Sequence, residues 1–112
     1  MIELTILNYL KIKLSPIPVY LEQPTEKPKQ YVMFEKTSSS KENHLKASTF
    51  AFQSYAESLY KAAELNEIVK DKVEEMIELD KISKIKLNSD YNFTDTETKR
   101  YRYQAVFDIN HY

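Results

Sequence analysis

Apolar residues recur along this chain with two periods, near 3.6 and near 2, and the switches between them predict seven elements. Over residues 2–14, Ile6, Leu7, Leu10 and Leu14 form a helical stripe, while Ile2, Leu4 and Ile6, then Leu10, Ile12 and Leu14, also alternate as a strand would. Length favours the helix, and Ser15-Pro16 is a suitable stop because proline disfavours α conformation in the residue before it. Two short strands follow, Ile17 to Leu21 and Tyr31 to Thr37. They are expected to form a hairpin whose long tip is the proline-containing, charged stretch 22–30. A second polar stretch, 38–43, is expected to be a loop leading into a third strand, Leu45 to Tyr55. There Ala47, Thr49, Ala51 and Gln53 oppose Ser48, Phe50, Phe52 and Ser54.

The strongest periodicity lies between about Ser58 and Leu79, where Leu59, Ala62, Ala63, Val69, Val73, Met76 and Ile77 recur at spacings of three and four. Glu64, Glu67, Lys70, Asp71, Glu74, Glu75 and Glu78 solvate the opposite face. At about 1.5 Å per residue this helix is roughly 30 Å long, enough to cover a small sheet. Ser54, with Glu57 three residues later, or Ser58 can cap it, and Ser58 is the expected cap. A closing hairpin is read from alternation of Ile85, Leu87, Ser89, Tyr91 and Phe93, a turn at 94–98, and the return through Tyr101, Tyr103, Ala105, Phe107 and Ile109. Its other face carries Lys84, Lys86, Asn88, Asp90, Arg102, Gln104 and Asp108. The prediction is an α+β fold, a mostly antiparallel sheet packed by helices, in the order α-β-β-β-α-β-β and in one domain.

Composition narrows the chemistry. The 112 residues suit one hydrophobic core, and nine tyrosines and five phenylalanines exceed what a disordered tail carries. Sixteen basic against seventeen acidic residues give a net charge of -1, so no whole-molecule field draws the chain to nucleic acid or an anionic membrane. There is no cysteine, hence no disulfide, thiolate nucleophile or sulfur-ligated metal, which fits intracellular synthesis. The first fifteen residues resemble neither a signal peptide nor a membrane span, and no other segment is expected to cross a bilayer. Glycine is absent too, which removes the phosphate-cradling loops and nucleophile elbows that need positive φ.

His44 and His111 have no ligand-spaced partner and are expected at the surface. Glu74-Glu75 belong to a solvated helix face. Lys99-Arg-Tyr-Arg-Tyr103 interleaves cations with aromatics, as single-strand nucleic-acid binders do, but alternation separates the two tyrosines from Arg102. No local nucleophile or metal motif is present, so catalytic residues, metal and cofactor are all expected to be absent. The number of tyrosines fits subunit contacts or scattered half-buried positions.

Three passages carry a resemblance: Pro18-Val-Tyr-Leu-Glu22 with Tyr31-Val-Met-Phe-Glu35; Phe50-Ala-Phe-Gln-Ser-Tyr-Ala56 running into Ser58-Leu-Tyr-Lys-Ala-Ala-Glu-Leu65; and the closing hairpin with Tyr101-Arg-Tyr-Gln-Ala-Val-Phe107. In element order and hydrophobic texture, over nearly the whole chain, the sequence resembles the tail-terminator and head-to-tail joining proteins of long-tailed bacteriophages. The resemblance implies a structural, non-enzymatic subunit that forms a homo-hexameric ring. The ring would stack on the last ring of tail-tube protein, stop tube growth and present a surface to the head-completion proteins. The chain would then be found at the head-proximal end of the virion tail after assembly in the host cytoplasm, with no membrane partner and no specific nucleic-acid binding. Projecting loops would contact neighbouring rings. That assigns Glu26, Lys27 and Lys29 of the first loop, and Ser39, Ser40, Lys41 and Glu42 of the second, to contacts within the tail. Glu67, Asp71 and Glu74 on the long helix are candidates for pairing with a neighbour's lysines, and exposed strand edges for pairing with an adjacent protomer.

The alternative is a small nucleic-acid-binding module, since helix, three strands, helix echoes a double-stranded RNA-binding domain. Against it stand the acidic helix, the missing basic cluster at that helix's start and the two further strands. A small hydrolase has no positive sign in the sequence.

Overall fold

The computed structural model describes residues 1–112, and the order α-β-β-β-α-β-β is observed. The elements are α1 (Ile2–Lys13), β1 (Val19–Tyr20), β2 (Tyr31–Glu42), β3 (Leu45–Ala56), α2 (Leu59–Glu75, extended by one tighter turn, Met76–Glu78), β4 (Ile82–Asn92) and β5 (Tyr101–His111). The strands form one sheet in the order β1-β2-β3-β5-β4. Both helices lie on one face, burying Ile6 and Leu10 of α1 and Leu65, Val69, Val73 and Met76 from the region of α2 against Val32, Phe34, Phe50, Phe52, Phe107 and Ile109. Phe34, Phe50, Phe52 and Phe107 pack ring to ring with centroids 5.4–6.2 Å apart. Ser58 caps α2, its Oγ accepting from Lys61 N at 3.2 Å.

Four expectations need correcting. Residues 17–21 do not form a hairpin with β2, because β1 is two residues long and runs parallel to it, Val19 beside Val32 and Tyr20 beside Met33. Pro16 and Pro18 cannot donate to a ladder, whereas the Pro18 carbonyl accepts from Val32 N at 2.9 Å, so this segment adds only a short edge.

The stretch 38–43 is not a loop. β2 continues to Glu42, with Ser39 beside Ser48, Ser40 beside Ala47 and Lys41 beside Lys46. The reversal is made by Asn43 and His44 alone, at φ 50° and 67°. Both residue types are enriched in the left-handed region, and a two-residue turn with both φ values positive matches the twist of a hairpin. The stretch is polar on both sides because this end of the hairpin is exposed.

The third correction concerns β4, where register shifts between Leu87 and Ser89. The added residue inverts the alternation. Leu87 still pairs with Phe107 on the helix-covered face, but Asp90 now pairs with Ala105 on that face, and Tyr91 with Gln104 on the other. Tyr91 and Phe93 therefore lie on the helix-free face, apart from Ile85 and Leu87. Lastly, His111 is buried, 4% exposed, between strand ends on the covered face.

The stripe on α2 also differs in detail. Leu59 and Ile77 are exposed, whereas Leu65 and the polar Asn66 are buried.

Candidate interaction surfaces

The helix-free face of the sheet carries a continuous polar and aromatic network. Tyr31 and Tyr55, neighbours across β2 and β3, stack with centroids 4.4 Å apart and planes 8° from parallel. The Tyr31 hydroxyl donates to Gln23 Oε1 at 2.9 Å, and Gln23 Nε2 donates to the Tyr55 hydroxyl at 2.7 Å. Tyr55 in turn donates to Gln53, Gln53 to Gln104, and Gln104 to Tyr91. Arg100 donates to the Tyr31 hydroxyl at 2.6 Å and Arg102 to the Tyr55 hydroxyl at 2.9 Å. Arg102 also lies over the Phe93 ring, 4.3 Å from its centroid, and its Nε donates to the Phe93 carbonyl. Burial raises the Tyr31 pKa above the ordinary phenol value against the opposing pull of Arg100.

Cations and aromatics thus do meet here, though the tyrosines are Tyr31 and Tyr55 and not Tyr101 and Tyr103. The guanidinium groups lie over the Tyr55 and Phe93 rings, and neither arginine has a carboxylate within 4.0 Å. Further along this face Lys84 and Lys86 stand beside Asn110 and Asp108. Asp108 accepts from Thr49 and from Asn88.

The second surface is the arm formed by the far half of the β2–β3 hairpin, which helps make the molecule 44 Å long against widths of 25 and 24 Å. Of the sequence-predicted residues, Ser39, Ser40, Lys41 and Glu42 all lie exposed on this arm. Ser39, Ser40 and Lys41 also line an open cleft of about 790 Å³ with Lys36, Lys46 and Lys81. At its floor Ser48 Oγ and His111 Nε2 are 2.9 Å apart. This pair has the residue types of a catalytic dyad, but both residues are buried, Ser48 lies in regular strand, and no carboxylate is hydrogen-bonded to the imidazole. Burial lowers the His111 pKa, so the ring is held neutral. It is a satisfied polar pair across two strands.

Glu26, Lys27 and Lys29 lie at the opposite end, exposed in the connection from β1 to β2. Lys29 joins Lys99 and Arg100 around a pocket of about 220 Å³ with Glu57 and the stacked tyrosines. Glu67, Asp71 and Glu74 lie on the outer face of α2, separate from both ends. The predicted residues therefore form three sets and not one site.

The chain matches no protein-family model and no curated protein sequence.

Two sheet edges are also free. β1 covers β2 only as far as Met33, leaving the outer side of residues 34–42 without a neighbour, and β4 forms the other edge. No group of three or more His, Cys, Asp or Glu side chains gathers in ligating range, and no helix is long and apolar enough to cross a membrane. Sequence reasoning missed the Gln23, Gln53 and Gln104 relay. Its available signal was that Gln53 and Gln104 both fall at non-core parity in strands rich in aromatics.

Proposed function

We propose that this chain is a structural subunit of a long-tailed bacteriophage or prophage that caps the tail tube as a homo-hexameric ring and joins tail to head. The observation that carries the reading is the disposition of its free surfaces. Residues 34–42 of β2 and the outer side of β4 are unpaired edges on opposite sides of one sheet, and the outer face of α2 and the open face of the sheet carry different side chains. A subunit with unlike surfaces on opposite sides can associate head to tail, and such a contact repeated about an axis makes a closed ring when the rotation closes. The hairpin arm at one end and the 21–30 connection at the other supply two polar ends for the tail-tube protein and for head-completion proteins. The element order and the three passages that resemble tail terminators support the tail as the place of assembly. No bond is made or broken in this role.

Cutting the arm back tests it. Replacing Ser40–Ala47 with Asn-Gly keeps Ser39 beside Ser48 and restores a two-residue turn. The variant is expected to fold and to leave tails uncapped, seen as overlong tubes by electron microscopy. Tails of normal length would overturn the assignment.

Double-stranded RNA binding is the second reading, favoured only by the arginines on the open face. The Tyr55 ring that both arginines approach is buried and not free to stack on bases, and the outer face of α2 is acidic.

A further inference from the structure

Acidic side chains predominate on the outer face of α2 and basic ones on the β4–β5 part of the helix-free face, where Asp108 beside Lys86 is the one acidic neighbour in that register. On α2, Glu64, Glu67, Asp71 and Glu74 recur at spacings of three and four, so they form one stripe down the side turned away from the sheet. At about 1.5 Å per residue the stripe is roughly 15 Å long. Glu67 is held by Lys70, but Glu64, Asp71 and Glu74 have no cation within 4.0 Å. In the middle of the stripe Ile68 is 42% exposed beside a groove lined by Asp71, Lys72, Glu74 and Glu75.

The opposite side of the molecule presents the complement. Lys84 and Lys86 on β4 and Arg102 on β5 share the helix-free face, Lys84 to Asn92 spanning roughly 26 Å of strand at about 3.3 Å per residue. None of these cations has a carboxylate within 4.0 Å, and Tyr91 and Phe93 between them are 41% and 40% exposed. Arg102 is held in place by Tyr55 and Phe93, so little side-chain freedom is lost when it receives an anion.

We infer that the acidic stripe of α2 docks on the Lys84–Lys86–Arg102 face of a second copy of this chain, with Ile68 seated against Tyr91 and Phe93. Donor and acceptor surfaces lie on opposite sides of one protomer, so the contact is heterologous. Each copy uses its helix toward one neighbour and its sheet toward the other, and the series closes into a ring when the rotation between successive copies closes. The inference deepens the tail-terminator reading, and the number of copies that close the ring rests on it. Charge pairing would set register and partner choice, and the exposed apolar groups would supply the buried centre.

The native chain contains no cysteine, which makes cross-linking specific. The variant Asp71→Cys with Lys86→Cys, purified and oxidised at low ionic strength, is expected to give a ladder of covalent oligomers, and each single-cysteine variant none beyond a dimer. In parallel, K84E with K86E and D71K with E74K should each abolish assembly, and the four changes together should restore it, with unchanged circular dichroism throughout. Lack of a ladder, or assembly of either charge-reversed pair as well as the native chain, overturns the interface. So does binding of a double-stranded RNA probe that is lost in K84E/K86E, because that assigns the face to nucleic acid. Capped tails without the ladder would remove this interface and keep the tail assignment; a ladder without capped tails would do the reverse.

Discussion

Tyr31 and Tyr55 stack face to face at 4.4 Å on the helix-free side of the sheet, and their hydroxyls are joined through the single side chain of Gln23. The stack turns an uncovered sheet face into an ordered one. Both rings are almost fully buried, Tyr31 at 1% and Tyr55 at 4%, although no helix lies over them.

Tyr55 should therefore be as sensitive as a core residue. Tyr55→Ala removes the stack and a buried ring and is expected to cost about 3–5 kcal/mol. Tyr55→Phe keeps the ring but leaves Gln23, Gln53 and Arg102 short of a partner, for about 1–2 kcal/mol. Urea unfolding of the two variants measures both. Equal losses would mean that the hydroxyl carries everything and the ring nothing.

His111 gives the fold a pH dependence on the acid side. Its folded pKa lies below the ordinary histidine value of about 6.5, chiefly because burial disfavours the imidazolium. Protonation then favours the unfolded chain, so its contribution is complete above about pH 6.5 and is lost as pH falls through the folded pKa. His111→Asn should be less stable at neutral pH, by about 1–2 kcal/mol for the lost Ser48 bond, yet show a flatter stability profile between pH 7 and pH 5. Thermal unfolding across that range reads the difference. An unchanged slope would assign the pH dependence to other groups.

The hairpin turn stores a correctable cost. His44 sits at φ 67°, where a residue with a Cβ is disfavoured and glycine is not. His44→Gly relieves that cost but adds freedom to the unfolded chain, for a net gain of about 0.5–1 kcal/mol. The same change at Lys86, within β4, should destabilise. Calorimetric Tm values for the two variants check the contrast.

What the sequence allowed one to read follows from how local each signal is. The period of α2, its Ser58 cap and the strand character of β3 and β5 depend on neighbours a few residues away, and they are found as expected. α1 was resolved by length and a proline stop, again local information. The inversion in β4 was not legible, because a bulge is set by pairing with β5 and leaves no mark in the spacing of Leu87, Ser89 and Tyr91. Its consequence is the ion pair between Lys70 on α2 and Asp90 on β4, 3.2 Å apart, from a residue placed by simple alternation on the wrong face. Polarity misled in the same way at 38–42, where exposure on both sides of a strand mimics a loop. The candidate residues were legible as exposed polar groups, but not their division between two ends and one helix face, since that needs the topology of the sheet.

The proposed ring of identical subunits has a direct readout in solution. The most direct measurement is the mass of the purified protein by light scattering over a range of concentrations, at low and moderate salt, alone and with purified tail tubes. A discrete species of six times the 13.3 kDa chain is expected, weakened by salt as charge pairing requires. A mass of 13.3 kDa under every one of these conditions, with tubes as well as without, would contradict it.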